Sequence, residues 1–279
     1  MLIGFINENV GGLVKVRTRR HASTAVNSPG APQWIRASML PILGRVLFRD
    51  RLWATISAAR AVLEEPGVLV VGSEVPNLLE PAAASTLVVS LGLDIGIPVD
   101  RHAAVKLRLA DLREFRPSPD EPSVWTPRSS DLLEINFVGI DPAQDPAEAY
   151  VIADDELPLL VFGALSLVTP GAELEIAGTK LRIPRPAGLL LEKLVTDRTG
   201  EKGERDLLVA LGLLQLMSAT DRDELSEAYR RLRPELRHVV RSNLTLLSLL
   251  GPRAGLPDPR SRRGEVGALL RQLDSEDTP

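Results

Sequence analysis

Between Val68 and Val99 the chain carries two apolar runs of strand length joined through a Gly-Ser turn. The first, Val68-Leu69-Val70-Val71, ends in Gly72-Ser73, and a short helical turn follows. The second alternates: Leu93, Ile95, Ile97 and Val99 fall on one face, and Asp94, Gly96 and Pro98 on the other. That period of two is the pattern of a strand with one buried face. A strand ending in Gly-Ser at a helix start offers backbone N–H groups to a phosphate. An acid on the polar face of the next strand is placed to hold a divalent cation against that phosphate.

The flanking segments extend this unit. Residues 46–65 read as a helix, with Leu52, Ile56, Ala59 and Leu63 at helical spacing and Pro66-Gly67 as its stop. Helix, tight turn and buried strand together open an α/β or α+β unit. Arg101 to Phe115 reads as a second amphipathic helix, on the stripe Val105, Leu109, Leu112 and Phe115. Pro117 to Ser130 reads as a surface loop. Asp131 to Ile140 reads as a strand in which Leu133, Ile135 and Phe137 alternate with Glu134, Asn136 and Val138, so that Glu134 lies on the polar face. Asp141 to Tyr150 reads as a loop, and residues 157–184 as short strands punctuated by Thr169-Pro170-Gly171.

From Ala187 the pattern is helical. One helix runs through Leu189, Leu190, Lys193 and Leu194, and a strongly apolar one from Asp206 to Met217. A capping box at Thr220 and Asp223 opens a third. Pro234 opens a fourth that Gly251-Pro252 closes, and Val266 to Leu273 suggests a last short one. The expected organisation is an N-terminal arm over 1–45, a mixed-sheet domain over 46–185, a helical domain over 186–255, and a short helix with a polar tail over 256–279.

Composition removes several classes of chemistry. The 279 residues, 44% of them hydrophobic, suffice for a sizeable core. A formal net charge of -4 argues against wholesale coating of nucleic acid. The basic runs at Arg17, Arg19 and Arg20, and at Arg230, Arg231, Arg233, Arg237 and Arg241, read first as solvated surface. With no cysteine there is no disulfide, no thiolate catalysis and no zinc–thiolate site. His21, His102 and His238 are too scattered to suggest a metal cluster, and His102 reads as a helix-start residue without catalytic role. No apolar run reaches the ~18 residues of a membrane span, and no signal peptide pattern opens the chain. A cytoplasmic protein without a membrane partner is expected.

Gly72-Ser73, Asp94 and Glu134, followed by a helical C-terminal half, stand in the order found in nucleotidyltransferases of the polymerase-β type, and the chain resembles that group. The segment LLLEKLVTDRTGEKGERDLL, with Lys193, Arg198, Lys202, Arg205 and Asp206, looks like the basic signature of bacterial minimal nucleotidyltransferases, including type IV abortive-infection toxins. STLVVSLGLDIGIPV resembles the acid-bearing strand of a related bacterial family. The resemblance covers about residues 46–215. It implies an α+β fold with a mixed sheet, flanking helices and a helical C-terminal domain. It also implies transfer of a nucleoside monophosphate from an NTP to an acceptor hydroxyl with Mg²⁺. In that reading Gly72 and Ser73 cradle phosphates, and Asp94 and Glu134 hold metal, with Glu134 also a general base. Lys193, Arg198 and Lys202 then hold the triphosphate; Gly200 and Gly203 suit a loop that aims these basic groups. The acceptor would be RNA or protein, and an antitoxin is a possible partner for a toxin of this type.

The chain departs from the family pattern at one position. The Asp-x-Asp pair of the relatives has glycine at Gly92, leaving Asp94 as its second member, and neither Glu74 nor Asp100 sits at the offset of a replacement. A site with one carboxylate missing binds metal weakly, since each Mg²⁺ keeps only one or two protein carboxylates to begin with. The alternative is therefore a catalytically degenerate fold that binds nucleotide, RNA or a protein without chemistry.

Overall fold

The computed structural model describes residues 13–15, 42–79, 92–196, 200–252 and 258–276. Its centre is an eight-stranded mixed sheet. The strands are β1 (Leu13–Lys15), β2 (Leu69–Val70), β3 (Gly92–Pro98), β4 (Phe115–Pro117), β5 (Val124–Pro127), β6 (Glu134–Ile140), β7 (Ala149–Ile152) and β8 (Leu159–Phe162). The order across the sheet is β1-β7-β8-β6-β3-β2, with β5 joining β4 to β6. β6 runs parallel to β3 and to β8; the other pairs are antiparallel. The inward faces are the apolar positions of the alternation: Leu93, Ile95, Ile97, Leu133, Ile135 and Phe137 are all buried.

Helix α1 (Ile42–Ala58) and the short α2 (Arg60–Leu63) precede β2. The expected single helix over 46–65 is thus two, broken at Ala59, although Leu52, Ile56, Ala59 and Leu63 are buried as their spacing requires. The Thr55 hydroxyl ties α1 to the sheet: it donates to the Arg51 carbonyl at 2.7 Å and accepts from the Leu133 N–H at 2.8 Å. The five-residue α3 (Val75–Leu79) follows β2, and α4 (His102–Arg108) crosses from β3 toward β6.

The sequence pattern misplaced several boundaries. The helix expected from Arg101 to Phe115 ends at Arg108 and tightens to a 3₁₀ turn over Leu109–Asp111, and Phe115 belongs to β4. Its stripe is buried all the same, because the turn keeps Leu109 and Leu112 facing the core. The expected loop 117–130 contains β5. Trp125 there packs edge-on against Phe137 with ring centroids 6.2 Å apart, burial enough to hold a four-residue strand. The loop expected over 141–150 ends where β7 begins at Ala149.

A separate hairpin, β9 (Pro170–Ile176) and β10 (Thr179–Pro184), packs on β2 and α2. Ala177 and Gly178 form its tip with φ of 50° and 74°. Helices α5 (Pro186–Val195), α6 (Gly200–Leu216), α7 (Ala219–Arg231), α8 (Pro234–Leu249) and α9 (Arg263–Glu276) complete the described chain. Buried α5 is the hub of this half, packed on α6, α7 and α8. Helix α6 starts at Gly200, so Gly200 and Gly203 lie inside a helix and not in the expected loop. A glycine in a helix interior costs about 1 kcal/mol relative to alanine. The buried run Leu207, Leu208, Val209, Ala210, Leu211, Leu213 and Leu214 outweighs that. The capping box of α7 is Ser218 with Asp221, two residues before the expected pair. Buried Asn243 of α8 donates to the Leu194 and Thr196 carbonyls at 2.8 and 3.1 Å, capping the end of α5.

Candidate functional site

Three elements meet at the exit of β2. The Val71 N–H donates to the Asp94 carbonyl at 3.0 Å, so the antiparallel β2–β3 ladder delivers Gly72 beside the Asp94 side chain. The chain then turns: the Val75 N–H reaches the Gly72 carbonyl at 3.3 Å, and α3 begins. Five helical residues follow among those described.

Glu74 folds back over this turn. Its side chain is fully buried, and its Oε1 accepts from the Asp94 N–H at 2.6 Å. The Ser73 hydroxyl donates to Glu74 Oε2 at 3.4 Å. A Cβ at Gly72 would stand 2.4 Å from Asp94 Oδ2 and from Glu74 Oε1, and 2.6 Å from Glu74 Oε2. Glycine is therefore required here by two carboxylates that converge on it. Burial, and then the charge of Asp94, push the Glu74 carboxyl well above the usual range. The N–H groups of Asp94 and of Glu74 itself, and the charge of Lys193, oppose that rise.

The parallel β3–β6 ladder sets what faces Asp94. Its register pairs Gly92 with Glu134 and Asp94 with Asn136. Residues paired in a ladder share a face, so all four stand on the same side of the sheet. Asn136 Nδ2 donates to Asp94 Oδ1 at 2.7 Å. An ionised carboxylate only accepts hydrogen bonds, which fixes the amide nitrogen toward it. The same nitrogen lies 2.6 Å from where a Cβ of Gly92 would be. One amide thus caps Asp94 and fills the space of the side chain that Gly92 lacks.

The structure brings Gly72, Ser73 and Asp94 together as the sequence suggested. Half-buried Glu134 shares their face of the sheet, but its ladder partner is Gly92, one alternation away from Asp94. Lys193 lies on α5 near enough for its charge to act on Glu74, in a partly buried ion pair with Glu192 at 2.8 Å. Arg198 lies outside the described residues, as does the side chain of Lys202, whose backbone begins α6. Asp100 is exposed beside Arg101 past the far end of β3 and takes no part. His102 Nε2 is bonded to the Leu157 carbonyl at 2.8 Å, a structural role. Sequence reasoning missed Asn136 as a member and set Glu74 aside for its offset. Both carried a signal: Glu74 follows the Gly-Ser turn directly, and Asn136 shares the polar face of its strand with Glu134.

Magnesium, which the family resemblance implies, does not fit this donor set in a two-metal arrangement. Gly92 supplies no ligand, and an N–H donor occupies Asp94 Oδ1, which leaves Oδ2 on the side of Glu74. Among the described residues no group of three or more histidine, aspartate or glutamate side chains is placed to hold a metal ion.

No protein-family model matches the chain, and a search of curated proteins gave no match. Two solved structures are similar. One is an antigenic nucleotidyltransferase-like protein from Paracoccidioides brasiliensis, 17% identical, with 68% of this chain covering 92% of that one at a TM-score of 0.36. The other is a putative nucleotidyltransferase from H. pylori, 14% identical, with 86% of this chain covering all of that one at a TM-score of 0.37. Likeness of this size assigns no activity, and the α+β architecture rests on the chain's own sheet and helices. Among the described residues no helix is long and apolar enough to cross a membrane.

Proposed function

We propose that this chain is a catalytically degenerate nucleotidyltransferase-type fold that acts as a binding module without transfer chemistry. The bond from Asn136 Nδ2 to Asp94 Oδ1 carries this reading, because it satisfies with an amide the carboxylate that catalysis would give to a cation. Burial of Gly72, Ser73 and Glu74 supports it: the turn is closed by its own side chains. RNA is a poor fit to the surface. Several arginines of the basic run are spent on acids, Arg231 on Glu227, Arg233 on Asp145 and Arg241 on Asp274, and the net charge is -4.

A second reading keeps the Mg²⁺-dependent transferase, with Glu74 as the second carboxylate. Its support is the convergence of Asp94 and Glu74 on Gly72. Purified protein incubated with each labelled NTP, Mg²⁺ and RNA or protein acceptors separates the two. The degenerate reading expects no label transfer, and no difference between wild type and Asp94→Ala in NTP binding by calorimetry. Transfer that Asp94→Ala abolishes would overturn it.

A further inference from the structure

Gly92 and Asn136 stand at different depths of the sequence but act as one unit. Gly92 lacks a side chain, and Asn136 Nδ2 lies 2.6 Å from where its Cβ would be. The same nitrogen reaches Asp94 Oδ1 at 2.7 Å. An acid at position 92 alone would have to displace the end of the Asn136 side chain. An acid at position 136 would instead stand beside Asp94 across the ladder, on the sheet face that Glu134 shares.

We infer that Asn136 is the residue that keeps this site free of divalent cations, and that an acid at position 136 is enough to form a paired-acid site with Asp94. The inference deepens the degenerate reading above and rests on it. The amide does a cation's work in one respect: it places partial positive charge on the Asp94 carboxylate. It differs in that it offers no further coordination positions to a phosphate, so nothing bridges Asp94 to an anionic ligand. Replacing it with a carboxylate puts two like charges side by side, and such a pair is relieved by a divalent cation. The space in front of Gly92 becomes available to a second acid only when the amide nitrogen no longer fills it.

The test uses the full chain and Mn²⁺ alone, read by electron paramagnetic resonance of the free ion and by the thermal midpoint with and without Mn²⁺. The variants are Asn136→Asp, Asn136→Ser, Gly92→Asp and the double Gly92→Asp/Asn136→Asp. Wild type is expected to show no saturable binding in the millimolar range. Gly92→Asp is expected to lose thermal stability and gain no metal. Asn136→Asp is expected to bind Mn²⁺ at least about tenfold more tightly than wild type, a difference of about 1.4 kcal/mol. It should also be stabilised by the ion, and the double variant should bind more tightly still. Asn136→Ser removes the amide without adding charge, so it keeps the test decisive if the aspartate variant fails to fold; it too is expected to gain Mn²⁺ binding over wild type. Saturable Mn²⁺ binding by wild type that Asp94→Ala removes would overturn the inference. So would metal binding by Gly92→Asp alone, or no gain in both Asn136 variants. Label transfer by wild type would sink the degenerate reading itself. An inert wild type whose Asn136 variants gain no metal sinks only the inference.

Discussion

Glu74→Gln should stabilise the protein at neutral pH, by an amount that grows with pH. Burial first, and then the neighbouring Asp94 charge, raise the Glu74 carboxyl from 4.5 to about 8. Below pH 4.5 the group is protonated whether the chain is folded or not, and stability is unaffected. As the pH climbs toward 8 the unfolded chain releases a proton that the folded chain keeps, so folding loses stability through that window and no further above it. Each pH unit in the window costs about 1.4 kcal/mol, which places the penalty on the order of 3 kcal/mol at pH 7 and under about 1 kcal/mol at pH 5. Glutamine cannot ionise, and its Oε1 still accepts from the Asp94 N–H that Glu74 bonds at 2.6 Å. Urea unfolding followed by tryptophan fluorescence, run on both proteins from pH 5 to 8, reads the gap directly. The variant should pull ahead by a few kcal/mol between the ends of that range. A gap that stays constant, or a wild type that gains on the variant as pH rises, would refute the reasoning. Either result would mean that the folded chain does not keep the Glu74 proton over this range.

Other substitutions check the frame around the site. Thr55→Val removes the acceptor for the buried Leu133 N–H and should cost about 1–3 kcal/mol, seen as a lower urea midpoint at unchanged slope. Ala177→Gly should raise the thermal midpoint, since Ala177 has a φ of 50°. The ~1–2 kcal/mol left-handed penalty it relieves exceeds the ~0.5–1 kcal/mol of added chain entropy. Ser218→Ala removes the hydroxyl that accepts from the Asp221 N–H, one arm of the α7 capping box, and should cost about 1 kcal/mol in the same unfolding assay.

The parts of the fold that were legible in the sequence are those set by local periodicity. The alternation around Asp94 and around Glu134 gave two strands with the correct faces buried. The spacing of Leu52, Ile56, Ala59 and Leu63 gave a helical face that is buried in full. The parts that were not legible depend on contacts between distant residues. β5 is held by Trp125 against Phe137, and a four-residue stretch between prolines shows no period of its own. Helix α6 keeps its glycines because its later turns are buried between other helices, and no propensity reading weighs that.

The candidate site follows the same division, and this bears on its function. Periodicity placed Asp94 and Glu134 on polar faces, yet whether they meet is a question of register, which local sequence does not encode. A parallel ladder shifted by two residues would leave every apolar side chain facing inward and would set Asp94 opposite Glu134. The observed register sets Gly92 opposite Glu134 and Asp94 opposite Asn136. The acid of β6 therefore faces the position with no side chain, and the acid of β3 faces an amide that bonds it. Glu74 then closes the remaining side, from a position that by sequence alone belongs to the turn. Asp94 thus has a partner within the sheet and Glu134 stands opposite a glycine, and that register is the support for the degenerate reading proposed above.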